Sequence, residues 1–167
     1  MLRRVLLLSA LALVLTGCGF HLRSSQNFAF DTIAVSPAAG GPIAIAMTRV
    51  LGERVRPLTA TSEASAPQVV LEILQENREK TVVGVNASGQ VREFQLRIRV
   101  KFRLRTLTGR ELIVPTEIVQ QRDFSYSETA ALAKEAEEVL LYRDMQADIV
   151  QQLLRRLAAV KVGDGAV

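Results

Sequence analysis

Histidine and cysteine occur once each in this chain of 167 residues, and tryptophan does not occur at all. A lone cysteine, Cys18, cannot close an internal disulfide, and a lone histidine, His21, leaves most metal and acid–base constellations without ligands. No G-x-S-x-G, H-E-x-x-H, C-x-x-C or G-x-x-x-x-G-K pattern is present, so the common nucleophilic, zinc, redox and phosphate-loop chemistries have no residues to run on. His21 lies three residues from Cys18 and reads as structural or interfacial. The expectation is a protein that is not an enzyme and needs no cofactor. The formal charge of +4 includes Arg3 and Arg4; setting those two aside leaves 19 basic against 17 acidic residues, so the placement of charge matters more than its sum. What the chain does have is 49% hydrophobic residues, enough for a single folded domain.

The first residues read as export grammar: Arg3 and Arg4, an apolar run from Val5 to Leu15, then small residues. Eleven residues rise only about 16 Å as a helix, short of the roughly 30 Å of a bilayer core, so a signal peptide fits better than a membrane span. Leu15-Thr16-Gly17-Cys18 resembles a bacterial lipobox, which implies cleavage before Cys18 and a covalent lipid on its thiol. Each buried acyl CH₂ contributes about 0.8 kcal/mol, so several chains would hold the protein on a membrane. Gly19 stands where an aspartate would favour inner-membrane retention, which points to the outer membrane. The expected division is a signal peptide over 1–17, a lipidated tether over 18–31, one domain over 32–162 and a short tail over 163–167.

Within that domain, "TIAVS" (Thr32 to Ser36) predicts a short strand, and Met47, Val50, Leu51, Val55 and Leu58 recur at helical spacing up to about Pro57. A strand carrying Val69, Leu71 and Ile73 on one face and Glu72 and Glu76 on the other turns at "GVNASGQ" (Gly84 to Gln90) into a third. A fourth carries Leu112, Val114 and Ile118 on one face, with Pro115 marking an edge or a bulge. A long helix closes the domain, capped near Ser125 or Ser127 and ending near Val162. The order β-α-β-β-β-α predicts an α+β two-layer sandwich, two helices on one face of a four-stranded, largely antiparallel sheet. The last helix has two apolar stripes. Leu132, Ala136, Val139, Leu140, Ala147, Val150, Leu154 and Leu157 form the expected core face; Leu141, Met145, Ile149 and Leu153 form a second that either packs on the first helix or serves as a partner patch.

The third strand, "QLRIRVKFRLR" (Gln95 to Arg105), alternates strictly, with Arg97, Arg99, Lys101, Arg103 and Arg105 on one parity. Same-face residues about 7 Å apart lie within a Debye length of roughly 8 Å, so the row repels itself unless anions oppose it. Glu72 and Glu76 are expected partners but too few, which leaves residual positive potential. Nucleic acid is disfavoured because Phe102, the aromatic in the run, has core parity. The phosphates of lipopolysaccharide, or the acidic wall of a protein partner, fit an exported lipoprotein better.

"CGFHLR" (Cys18 to Arg23), "SGQVREFQL" (Ser88 to Leu96) and "ALAKEAEEVLLYRDMQADIVQQLLRRL" (Ala131 to Leu157), in that order, resemble the LptE (RlpB) family. The resemblance implies a lipoprotein plug within the lumen of the LptD β-barrel, which aids folding of that barrel and binds lipopolysaccharide. A lysine of that family linked to the ligand falls on Lys134, whereas a second basic residue falls on Ala87, a departure for which Arg92 is a candidate substitute. The expected lipopolysaccharide contacts are therefore Lys134, Arg92, Arg97 and Arg99. An auxiliary lipoprotein of another envelope lipid-transport complex is the alternative, and a lipid-anchored enzyme acting on envelope polymers is a more distant one.

Overall fold

The computed structural model describes residues 27–37, 40–59 and 66–161. The expected signal peptide, Cys18, His21 and the tail over 163–167 lie outside the described residues. Strands β1 (Ile33–Ser36), β2 (Val69–Val85), β3 (Val91–Thr106) and β4 (Glu111–Ser125) and helices α1 (Pro42–Leu51) and α2 (Ala131–Ala158) follow one another as β1-α1-β2-β3-β4-α2. The sheet has the order β1-β2-β3-β4, with β1 parallel to β2 and the other neighbours antiparallel. Both helices lie on one face, giving the α+β sandwich that the residue pattern predicts.

The alternation in β3 builds the core. Leu96, Ile98, Val100, Phe102 and Leu104 are all 0% exposed, and so are Met145, Ile149, Leu153 and Leu157 of α2 and Ile43 and Met47 of α1 packed over them. Burying such side chains contributes about 1.5–3 kcal/mol each, which is why a period-two strand can hold a helix across its face. Phe30, at the end of the expected tether, is also buried in this cluster and stacks on Phe28, so the packed domain starts earlier than Thr32.

Three irregularities depart from the simple pattern. Helix α1 stops at Leu51, short of the expected end near Pro57, because Gly52 takes φ 55° and its N–H turns back to the Thr48 carbonyl. Val55 then pairs with Ile33 instead of continuing the helix. In β2 a bulge between Ile73 and Gln75 reverses parity. Glu76 consequently pairs with Val100, on the helix side, and its Oε2 accepts the Ile43 N–H at 3.1 Å near the start of α1. In β4 a register shift lies around Pro115, on an edge strand, as the missing N–H dictates. It splits the expected face: Ile113 and Ile118 turn to the core, and Val114 is exposed.

The stripes of α2 are the other way round from the expectation. Met145, Ile149 and Leu153 lie against the sheet, fully buried, and Leu141 is half-buried against the same core, so this set cannot serve as an accessible partner patch. Of the expected core face, Val150, Leu154 and Leu157 are buried, but Leu132, Val139 and Leu140 are 83%, 68% and 58% exposed. The cause is length: α1 has 10 residues and α2 has 28, so α1 covers only the C-terminal part of that stripe. Ser127 precedes a 3-10 turn over Glu128–Ala130 without a side-chain capping bond, and α2 ends at Ala158, before the expected Val162.

Candidate functional site

The sheet face turned away from the helices carries the cationic row, and most of that row is answered by its own chain. Arg103 and Arg105 converge on Glu72, with Arg105 Nε donating to Oε1 at 2.8 Å. Arg103 also approaches Glu111 at 3.5 Å. Arg99 donates to Glu79 Oε2 at 3.1 Å, and Arg97 donates to Gln95 Oε1 at 2.8 Å while lying 4.0 Å from Glu79. Register puts Glu117 opposite Lys101 and Asp123 opposite Gln95. Glu72, Glu79, Glu93, Glu111, Glu117 and Asp123 share this face and outnumber its cations, which corrects the expectation of residual positive potential there. Glu79 was hidden by the bulge: it replaces Glu76 as the second partner because parity reverses between Ile73 and Gln75. Arg97 and Arg99 are therefore engaged within the sheet.

Glu72 is the most enclosed of these carboxylates, with its side chain 15% exposed. Burial works to raise its pKa, but the hydrogen bonds and charges of Arg105 and Arg103 together outweigh burial and hold it below the ordinary 4.5.

At the opposite end of the molecule from the β3–β4 turn, Arg92 and Lys134 each bond to the segment Ser125 to Tyr126, Arg92 through its backbone carbonyl and Lys134 through its side chain. The Tyr126 N–H donates to the Arg92 carbonyl at 2.8 Å, and Ser125 lies opposite Glu93. Lys134 Nζ donates to Ser125 Oγ at 3.1 Å and to Glu137 Oε2 at 2.8 Å, leaving its side chain 20% exposed. The Arg92 side chain is exposed, makes no ion pair among the described residues and lines a hollow of about 160 Å³ with Gln90, Val91, Ser127, Glu128 and Thr129. Arg97 and Arg99 point from the far sheet face and are not part of this cluster.

Lys80, which sequence reasoning missed, lies near the same end. The bulge sends it to the helix side, where Nζ sits 4.3 Å from the centre of the Phe94 ring and pairs with Glu138. Phe94 in turn meets Tyr126 edge-on at 5.2 Å. No signal in the alternation of β2 marks Lys80 for that side; only locating the bulge would have found it.

Residues 30–157 match the family described as LptE, lipopolysaccharide-assembly. The chain is 28% identical over 158 residues to the LPS-assembly lipoprotein LptE of Photorhabdus laumondii, covering 93% of this chain and 85% of that one. It is 29% identical over 163 residues to the protein of the same name from Yersinia pestis, covering 95% and 77%. Among solved structures, lipoprotein B from Nitrosomonas europaea superposes with a TM-score of 0.68 at 35% identity, covering 84% of this chain and 91% of that one. Rare lipoprotein B from Shewanella oneidensis shares the fold, with a TM-score of 0.59 at 20% identity over 77% and 92%. Among the described residues no helix is long and apolar enough to cross a membrane. Because the matched span takes in every strand, the first helix and all but the last residue of the second, the chain belongs to the LptE family, non-enzymatic lipoproteins of lipopolysaccharide assembly.

Proposed function

We propose that this protein is the lipid-anchored plug subunit of the outer-membrane lipopolysaccharide translocon, seated in an LptD-type β-barrel and binding lipopolysaccharide at the hairpin end of its sheet. The covalent lipid sits on Cys18. The observation that carries the ligand site is that Arg92 and Lys134 both bond to adjacent residues of the segment from Ser125 to Tyr126, Arg92 by its backbone and Lys134 by its side chain. Arg92 is exposed and has no ion pair among the described residues, although Glu128 lines the same hollow; Lys134 would exchange Glu137 and Ser125 for a phosphate. A charge-assisted hydrogen bond contributes about 1.5–3 kcal/mol net, so two suffice for reversible capture of a passing ligand. A polar barrel lumen tolerates a sheet face of paired charges, and the exposed Leu132, Val139 and Leu140 offer apolar contact to a wall.

The double variant Arg92→Glu/Lys134→Glu is expected to bind purified lipopolysaccharide about tenfold more weakly or worse, since 1.4 kcal/mol is already a factor of ten. Its thermal unfolding should stay close to that of the wild-type chain. Unchanged affinity in a folded double variant would remove this site from the ligand path.

A further inference from the structure

Among the described residues, cations without an ion pair gather not on the sheet face but at the end where the chain enters the fold. Ile33 pairs with Val69, and Val69 with Thr106, so the start of β1 and the β3–β4 turn share one end. The exit from α1 joins them through the Arg56 N–H, which donates to the Ile33 carbonyl at 2.9 Å. The end of α2 joins them too, since Val160 and Lys161 line a hollow with Leu112 and Ile113.

Arg54, Arg56, Arg110, Arg155 and Lys161 gather there, and none of them forms an ion pair among the described residues. Arg54 donates to the Phe30 carbonyl at 3.4 Å and Arg56 to the Val55 carbonyl at 3.2 Å, so their N–H groups are used while their charge is not cancelled. Of the described carboxylates at this end, Asp31 and Glu53 are exposed, and Glu111 is turned to Arg103. Leu58 and Leu107 stand out among these cations, both about half exposed.

We infer that this end is a docking face for the anionic phospholipid headgroups of the membrane to which the chain is tethered. The inference rests on lipidation of Cys18. From Cys18 to Asn27, the first described residue, nine steps of at most about 3.6 Å keep the face within roughly 30 Å of the anchored lipid. Unpaired cations close to an anionic leaflet are drawn to it, and leucines between them enter the headgroup layer. An acidic protein rim would satisfy the cations but leave the two leucines without a use, which favours lipid.

The test uses the full lipidated chain with a fluorophore on Leu107→Cys, reconstituted into vesicles whose headgroups carry a nitroxide quencher, with a label on Ser88→Cys as the distal control. Intact mass and flotation report the anchor separately, so loss of lipidation is not confused with loss of docking. Quenching at position 107 should be about fivefold stronger in vesicles containing phosphatidylglycerol than in phosphatidylcholine alone, the change that even one basic residue at an anionic surface can bring. It should fall to the phosphatidylcholine level in Arg110→Glu/Arg155→Glu/Lys161→Glu, with position 88 unquenched throughout. Equal quenching in both vesicle types, or quenching that survives the triple variant while flotation is intact, would overturn the proposal. So would equal quenching combined with loss of a co-purifying barrel in the triple variant, which would assign the face to a protein rim.

Discussion

Leu153→Ala should lower the unfolding free energy by about 2–5 kcal/mol, whereas Leu140→Ala, 13 residues earlier on the same helix, should change it by about 0.5 kcal/mol or less. Leu153 is fully buried between α2 and the sheet, and truncation there leaves a cavity whose surroundings relax only in part. Leu140 is exposed on the part of α2 that α1 is too short to cover, so truncation removes little buried area and Ala is a better helix former. Denaturant titration of both variants reads the difference directly. Similar losses at the two positions would mean that the helix faces have been exchanged.

Glu72→Gln is expected to cost about 2 kcal/mol near neutral pH, because an enclosed carboxylate that anchors two guanidinium groups is replaced by an amide that holds neither as well. The pH dependence follows from the direction of the shift. Glu72 titrates below 4.5 in the folded chain, so in that acidic range the unfolded chain binds more protons at this position. The stabilisation is therefore complete above the unfolded value and is lost as pH falls through the folded one. Wild type and variant should converge in strong acid and separate as pH rises towards about 5, above which the gap is complete. A gap that stayed constant across that window, measured by urea titration at each pH, would show that the charge of Glu72 is not what secures Arg103 and Arg105.

Much of this molecule was legible in residue pattern alone, and the places where it was not have physical causes. Strict alternation in β3 fixed which of its side chains enter the core, because a strand buried on one face tolerates no register ambiguity. The same alternation misled in β2. One extra residue near Leu74 sends Glu76 to the start of α1 and brings Glu79 to the arginines, and neither Gly nor Pro stands there to announce it. The row of cations was conspicuous in one dimension, yet its neutralising carboxylates come from strands on both sides, which only the register reveals. In α2 both stripes are apolar, and the choice between them depends on the length of α1, which Gly52 sets by ending that helix early. Of the four cations the sequence offered for the ligand, Arg92 and Lys134 fall at one end and Arg97 and Arg99 on the far sheet face, while Lys80 and the Phe94–Tyr126 contact near that end were not read. The basic end where the described chain enters the fold is assembled from separate segments and leaves no local motif.

Purification of the lipidated chain from membranes in mild detergent, followed by mass determination of whatever accompanies it, tests the plug assignment most directly. A large outer-membrane β-barrel is expected in equal amount, together with lipopolysaccharide that the Arg92→Glu/Lys134→Glu variant retains poorly. A chain that emerges alone, or with a transport complex lacking any barrel, would contradict it.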